Sequence, residues 1–176
     1  MTAVDRIAWV DLETCGLDER VHAVLEVGVI VTDWSLRVVA ERSWCVAYDG
    51  PVSDFIARMH GPSGLLAACA SAGALDPDDV DAQAAAFVTE RAGERPILGG
   101  RNAHFDRRFL RTRLPRLHDA LSHRSLDVTT LWLAFDRWVA PVEKGPQHHR
   151  ALPDLHRDLD EVRRYRQALG RIGGAP

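Results

Sequence analysis

Three runs rich in β-branched residues, separated by turn signals, dominate the first third of the chain. They cover residues 7–12, 25–32 and 38–48, and the turns lie at residues 15–16 and 33–35. Val, Ile, Thr and aromatic side chains favour extended structure, and short turns join neighbouring strands in an antiparallel arrangement. The pattern therefore predicts a three-stranded meander at the start of the fold.

Helical and strand-like segments alternate in the remainder of the chain. Two further strands are predicted at residues 96–98 and 125–128, and apolar residues at helical spacing predict helices at 53–60, 62–71, from Pro77 to Val88, around Phe105 to Leu110, at 131–138 and from about Arg150 to Gly170. Antiparallel strands followed by strand and helix alternation predict an α/β fold, a mixed five-stranded sheet flanked by helices. We expect residues 1–176 to form one domain, with a frayed tail at 170–176.

Composition and charge restrict the class of protein. The chain has 176 residues, 46% of them hydrophobic, as is typical of a globular domain. Its apolar runs are shorter than the ~20 residues of a membrane span, and the start lacks the charged and apolar regions of a secretion signal, so we expect a cytoplasmic protein with no membrane partner. Its three cysteines form no CxxC pair, which argues against disulfides or a thiolate zinc site. A net charge of −3 argues against bulk electrostatic capture of long duplex nucleic acid.

Two carboxylates at the end of the first predicted strand suggest a metal site. Asp11 and Glu13 are two residues apart, and residues two apart in a strand lie on the same face of the sheet. Paired carboxylate oxygens suit Mg²⁺ or Mn²⁺, which combine such ligands with water and substrate phosphate.

Two later segments supply possible partners for this acidic pair. Asp106 lies in the first turn of a helix that follows the Gly99-Gly100 turn. His149 directly precedes the last helix and Asp154 lies one turn inside it, so both are expected to face one pocket. We predict that Asp106 and Asp154 are the third and fourth carboxylates of the site, and that His149 is a general base, because imidazole exchanges protons near neutral pH.

The order of these motifs resembles a known enzyme family. Asp11-Leu12-Glu13, residues 102–106 and residues 149–154 match the three motifs of DEDD-type 3′-to-5′ exonucleases of the ribonuclease-H-like superfamily, in the DEDDh subgroup with His in the last motif. Within this subgroup the chain most resembles oligoribonuclease. The matching segments are residues 11–17, 59–65, 106–110, 126–131 and 154–166.

The resemblance implies a function and a set of partners. It implies metal-dependent hydrolysis of short single-stranded RNA from a free 3′ end, giving nucleoside 5′-monophosphates. The four carboxylates would hold two Mg²⁺ or Mn²⁺ ions, which in such sites lie ~3.5 to 4 Å apart, activate water and stabilise the leaving oxygen. It also implies a homodimer.

Four residues are candidates for substrate binding. Leu17 resembles the wedge that separates terminal bases in this family, with simple packing of a turn as the alternative. His60, Ser63 and Gly64 lie at a predicted helix start, whose free N–H groups suit a 5′ phosphate. For His60 a structural role is the alternative.

The same motifs allow three other interpretations. Residues 101–105 resemble the loop of proofreading DNA exonucleases, so trimming of DNA is the alternative activity. A non-catalytic relative that binds nucleic acid or a partner is disfavoured because all five site residues are present. Zinc binding by His148, His149 and His156 is disfavoured because adjacent histidines diverge and no cysteine lies nearby in sequence.

Overall fold

A computed structural model describes residues 6–138 and 147–173, apart from the side chains of residue 138 and residues 171–173. In chain order its elements are β1 Arg6–Thr14, β2 Val24–Asp33, β3 Val38–Cys45, α1 Asp54–His60, α2 Leu65–Cys69, α3 Pro77–Ala92, β4 Ile97–Gly100, α4 Ala103–Arg113, α5 Pro115–Ala120, β5 Ser125–Asp127, α6 Val128–Trp138 and α7 Ala151–Gly173.

The five strands form one sheet in the order β3-β2-β1-β4-β5. The first three strands pair antiparallel, whereas β4 pairs parallel to both β1 and β5. The predicted meander and the predicted mixed five-stranded sheet flanked by helices are therefore confirmed. The parallel pairs arise because helices connect β3, β4 and β5, and a parallel connection needs such a crossover.

The two faces of β1 pack against different helices. Val10 and Leu12 belong to the core beneath α3, α4 and α5, whereas Trp9 packs with Leu155 and Leu159 of α7. This alternation follows from the two-residue period of a strand. Residues 11 and 13 consequently share the α7 face of the sheet.

The central strand extends beyond its parallel neighbour. The β1–β4 pairing ends at Trp9 and Gly99, and β4 itself ends at Gly100. A side chain at Gly99 would clash with the Trp9 ring, because its Cβ would lie 2.5 Å from a ring carbon. Because the pairing stops there, no described strand lies beside residues 11–14 of β1 on the β4 side, and side chains can approach that edge.

The start of α7 is anchored on β2. Gly28 allows close contact, since a Cβ at this position would lie 2.6 Å from the Cβ of Ala151. Glu26 accepts hydrogen bonds from the Ala151 N–H at 2.9 Å and from the Arg150 guanidinium at 2.8 and 3.0 Å. Because Glu26 lies opposite Glu13 in the strand pairing, the first turn of α7 lies next to the acidic pair.

Some elements differ from the sequence prediction. Residues 62–71 form only the short helix α2, because Gly64 adopts a left-handed conformation with φ of 73° at its start. Helix α5 was not predicted; Pro115 begins it, and the Asp81 side chain of α3 accepts hydrogen bonds from the N–H groups of Arg116 and Leu117 at 3.0 and 2.8 Å. Helix α7 continues to Gly173, and the rest of the expected frayed tail, residues 174–176, lies outside the described residues.

Two expectations from composition concern the state of the cysteines and the presence of membrane-spanning helices. The three cysteines, all among the described residues, are free thiols. No helix in the described ranges combines the length and apolar character that a membrane crossing requires.

Candidate active site

Three predicted metal ligands meet at the junction of β1 and α7. One carboxylate oxygen each from Asp11, Glu13 and Asp154 lies within 4.8 Å of the other two. The first two share one face of β1, and the third comes from the first turn of the helix that packs on that face. The spacing within the strand and the anchored start of α7 together bring these side chains into contact range.

Asp106 reaches the same region from the opposite side. Its carboxylate is buried, and Oδ1 accepts a hydrogen bond from the backbone N–H of Leu12 at 3.1 Å. That N–H is available because β1 continues past the end of β4. An extended strand end and the first turn of α4 thus position the fourth carboxylate.

Asp127 holds the loop that leads into α4. Its Oδ1 accepts a hydrogen bond from Thr129 N–H at 2.7 Å at the start of α6, and its Oδ2 accepts one from Ala103 N–H at 3.0 Å at the start of α4. Asn102 adopts φ of 52° and its N–H donates to Thr129 Oγ1 at 3.1 Å. One carboxylate therefore caps two helices, which fixes the direction of α4 and of Asp106 on it.

Backbone and side-chain donors fix the carboxylate of Asp154. Its Oδ1 accepts a hydrogen bond from His148 N–H at 2.9 Å and forms an ion pair with Arg157 Nη1 at 3.1 Å, and its Oδ2 accepts a hydrogen bond from His149 N–H at 3.0 Å. The carboxylate thereby closes the turn that precedes α7.

Burial and mutual repulsion disfavour negative charge in this cluster. Burial raises the pKa of Glu13 to about 7, and the charges of Asp154 and Glu26 add to the effect. Burial also raises the pKa of Asp106 to about 8, although the Leu12 N–H opposes the rise. The pKa of Asp11 lies well above its usual value, through burial and then through Asp106 and Glu13. Divalent cations relieve such repulsion, and an all-oxygen donor set suits hard cations, so these residues fit Mg²⁺ or Mn²⁺.

The four carboxylates line one pocket of about 270 Å³. Leu17 and Phe105 also border it, as do two arginines, Arg101 and Arg157. Leu17 is 74% exposed on the turn after β1, so its side chain stands at the mouth of the pocket.

A larger and mainly apolar pocket of about 520 Å³ adjoins the first. It shares Leu17 and Phe105 with the carboxylate pocket, and Phe55 and Met59 of α1 line its other side. Phe55 is 59% exposed, which is unusual for so large an apolar side chain. Aromatic and apolar walls next to a carboxylate cluster suit a flat, partly apolar ligand such as a nucleobase.

The His149 ring does not line the carboxylate pocket. Residue 149 has φ of 54°, and its ring packs edge-on against the His60 ring with centroids 6.2 Å apart. Its Nδ1 is buried without a hydrogen-bond partner among the described residues. Asp154 therefore lines the carboxylate pocket and the neighbouring imidazole contacts His60 instead; the expectation that His149 faces the same pocket stays a prediction.

The three candidate phosphate-binding residues have different surroundings. His60 is buried and lines the apolar pocket; its Nε2 lies 3.3 Å from the Thr14 carbonyl oxygen and its Nδ1 lies 3.8 Å from Glu13 Oε2. Burial lowers the pKa of His60. Ser63 donates from Oγ to the carbonyl oxygen of His60 at 3.0 Å. Ser63 and Gly64 line neither of the two pockets.

Sequence reasoning missed the two arginines of the pocket. Arg101 Nε lies 2.8 Å from Asp158 Oδ1, and the same guanidinium contacts Glu161. Arg157 links Asp158 to Asp154. The sequence does contain a signal for these arginines. Residues 154, 158, 161 and 165 share one face of α7, and three acidic side chains on a buried face need positively charged partners.

Comparisons with known proteins agree with the fold and the motifs. No family model matches the chain. It is 34% identical to "Oligoribonuclease" of Xanthomonas campestris pv. campestris over 97% of this chain and 92% of that protein, and 34% identical to "Oligoribonuclease" of Corynebacterium diphtheriae over 93% and 83%. The solved structure of E. coli exonuclease I with single-stranded DNA and zinc superposes with a TM-score of 0.71 at 14% identity, over 97% of this chain and 43% of that one. These matches confirm the resemblance seen in the motifs, and the last shows the shared fold.

Proposed function

Because this chain belongs to the oligoribonuclease family, we propose that it is a 3′-to-5′ exonuclease that hydrolyses short single-stranded RNA to nucleoside 5′-monophosphates. The meeting of four carboxylates at one pocket is the observation that carries the proposal. The adjoining apolar pocket supports it, because a terminal nucleotide needs a site for its base beside the site for its phosphate.

In this proposal Asp11, Glu13, Asp106 and Asp154 hold two divalent cations, Mg²⁺ or Mn²⁺. When bound, the cations lower the pKa of the attacking water and stabilise charge on the leaving 3′ oxygen. The protein contributes the fixed directions of the carboxylates, through the Leu12 N–H on Asp106 and the two backbone N–H groups on Asp154. Preset donors of this kind reduce the reorganisation needed during reaction.

We assign the role of general base to His149. Its position directly before the first turn of α7 keeps its backbone bonded to Asp154, which holds this residue beside the carboxylates. Catalytic contacts are often incomplete in ligand-free geometry and form in the substrate complex. The Nδ1 of His149 has no hydrogen-bond partner in the described part of the chain, so this atom can take up a contact in that complex.

The terminal bases are assigned to the apolar pocket. Leu17 stands between the two pockets, which suits a wedge between neighbouring bases, while Phe55 and Phe105 offer stacking surfaces. His60, whose Nδ1 lies 3.8 Å from Glu13 Oε2, forms part of the wall of the apolar pocket, and its contact with substrate stays a prediction. Contact of Ser63 and Gly64 with the 5′ phosphate stays a prediction.

A direct assay tests the activity and the substrate class. The protein is incubated with Mn²⁺ and 5′-labelled RNA or DNA oligomers of two, five and more residues. We expect RNA products shortened stepwise from the 3′ end, with release of nucleoside 5′-monophosphates and the fastest turnover on the shortest oligomers. Equal or faster cleavage of DNA would favour the alternative, a proofreading-like DNA exonuclease, and no cleavage of any oligomer would refute both.

Matched variants connect the activity to the site. Asp11→Asn and Asp154→Asn each remove a metal ligand at nearly constant volume and are expected to abolish cleavage. Asp160→Asn, on the same helix as Asp154 but 60% exposed at its side chain, is the control and is expected to retain activity. Equal activity in all three variants would place the reaction elsewhere on the molecule.

We also propose that the chain forms a homodimer in the cytoplasm. Leu133 of α6 and Leu169 of α7 are half exposed, at 50% and 54%. A dimer interface on these two helices would bury both side chains. Sedimentation equilibrium of the purified chain tests the dimer, and a monomer at micromolar concentration would exclude it. Cell fractionation tests the location.

A further inference from the structure

The carboxylates of α7 and the two arginines of the pocket form one chain of ion pairs. In order, the chain runs from Glu161 to Arg101, Asp158, Arg157 and Asp154, with alternating charge. The Tyr165 hydroxyl donates to Glu161 at its far end. Asp158 and Glu161 are fully buried, and buried acids are tolerated only when they are paired.

Arg157 is held rigidly by this chain. Its Nε and Nη2 donate to Asp158 Oδ1 at 3.2 and 3.0 Å, and Asp158 is held in turn by Arg101. Its side chain is only 12% exposed. The remaining nitrogen, Nη1, therefore reaches Asp154 Oδ1 at 3.1 Å from a fixed position.

A count of acceptor positions shows what this contact does to Asp154. Each carboxylate oxygen offers about two acceptor positions. Oδ1 accepts one hydrogen bond, from His148 N–H, and Arg157 Nη1 lies 3.1 Å from it and occupies the space beside its second position, whereas Oδ2 accepts one hydrogen bond, from His149 N–H. Among the described residues, the second position on Oδ2 is therefore the one left for a cation.

We propose that Arg157 determines the cation selectivity of this site, by restricting Asp154 to a single ligand oxygen. The inference rests on the proposed metal-dependent function. Ca²⁺ takes six to eight oxygen ligands and accepts bidentate carboxylates, whereas Mg²⁺ requires near-octahedral geometry with few protein ligands. A carboxylate limited to Oδ2 favours Mg²⁺, and the same carboxylate with both oxygens free favours Ca²⁺.

Calorimetric titration of the full chain with Mg²⁺ and with Ca²⁺, separately, tests the proposal without an activity measurement. Arg157→Gln frees the second position on Oδ1, and we expect the ratio of Ca²⁺ to Mg²⁺ affinity to rise about tenfold, within the range known for changes next to metal ligands. Loss of the Arg157 positive charge strengthens the binding of Mg²⁺ and Ca²⁺ alike, because both carry the same charge. A change in the ratio of their affinities therefore reports a change in the geometry of the ligands.

Three companion variants sharpen the test. Arg157→Lys keeps a donor and a charge beside Asp154 and is expected to keep the wild-type ratio. Asp158→Asn removes a charged partner of Arg157 and so weakens its hold on the guanidinium. We expect it to raise the ratio of Ca²⁺ to Mg²⁺ affinity, but by less than Arg157→Gln does. This variant provides the test if Arg157→Gln does not fold. Arg163→Gln, on the same helix and bonded to Asp160 and to the Leu36 carbonyl, is the matched control and should change nothing.

The outcomes separate the inference from the function on which it rests. Absence of cation binding by the wild-type protein would overturn the metal site and the inference together. Wild-type binding with an unchanged ratio in Arg157→Gln and Asp158→Asn would overturn the inference alone. An unchanged ratio combined with weaker binding of a nucleoside 5′-monophosphate would assign Arg157 to the phosphate instead, and would also overturn it.

Discussion

The raised pKa of Glu13 predicts that removal of this site residue stabilises the metal-free protein at alkaline pH. An unfolded chain releases the proton of Glu13 near pH 4.5, whereas the folded protein releases it at about pH 7. Between these values the folded state holds a proton that the unfolded state has lost. Stability that is present below pH 4.5 is therefore lost as the pH rises through about 7.

The size of the effect follows from the same two values. A rise of the pKa from 4.5 to about 7 corresponds to about 3 kcal/mol, since each pH unit is worth about 1.4 kcal/mol. The Glu13 side chain is only 11% exposed, so screening by solvent reduces this energy only slightly. Glu13→Gln, which carries no charge at any pH, should raise the free energy of unfolding by about 3 kcal/mol at pH 8 and by less than about 1 kcal/mol at pH 5.

Urea denaturation of wild type and variant at the two pH values, with a chelator present, measures this difference. The chelator is needed because a bound cation offsets the repulsion that the variant removes. Glu90→Gln on α3, an exposed position, is the control and should change stability by less than about 0.5 kcal/mol at both pH values. An equal gain at pH 5 and pH 8, or a loss at pH 8, would refute the electrostatic account of the cluster.

Three further predictions concern the packing, the ion pairs and the chemistry. Gly28→Ala should destabilise the protein by about 1 to 3 kcal/mol in thermal unfolding, because the added methyl group overpacks against α7. The control, Gly170→Ala on the open side of that helix, should stabilise the protein by up to about 1 kcal/mol. Similar effects at both sites would contradict the close contact between Gly28 and Ala151. Glu26→Gln should cost about 1 to 2 kcal/mol in urea denaturation, because the one-third-exposed Arg150 loses its charged partner, and a neutral result would show that water replaces the pair. His149→Ala should lower kcat by about 10² to 10⁴ with little change in Mn²⁺ affinity by calorimetry, and a parallel loss of both would contradict its role as base.

The acidic pair and Asp106 show how much of the site can be predicted from sequence. Alternation along a strand places residues 11 and 13 on one face, and a helix start after a turn places Asp106 at the end of β4. These rules are local, so the sequence carries them. The first three strands are also predicted by a local signal, because each lies in a separate run rich in β-branched residues, whereas β4 and β5 contain at most one such residue.

Other parts of the site depend on contacts between distant segments. The orientation of the His149 ring is set by packing against His60, and no local pattern encodes it. Arg101 finds its partner Asp158 on a helix 57 residues later in the chain. Helix α5 was missed for the same reason, since its N–H groups are capped by Asp81 from α3. Tertiary contacts decide such features, whereas propensity and spacing do not.

The meeting of β1 with the first turn of α7 has a consequence for when the enzyme becomes competent. The carboxylates of residues 11 and 13 lie more than 140 positions before Asp154 in the sequence. Contacts between segments so far apart form late in folding. A copy of this chain in which α7 has not yet docked on the sheet therefore lacks one of the four carboxylates of the site, so competence for metal binding requires the whole tertiary fold.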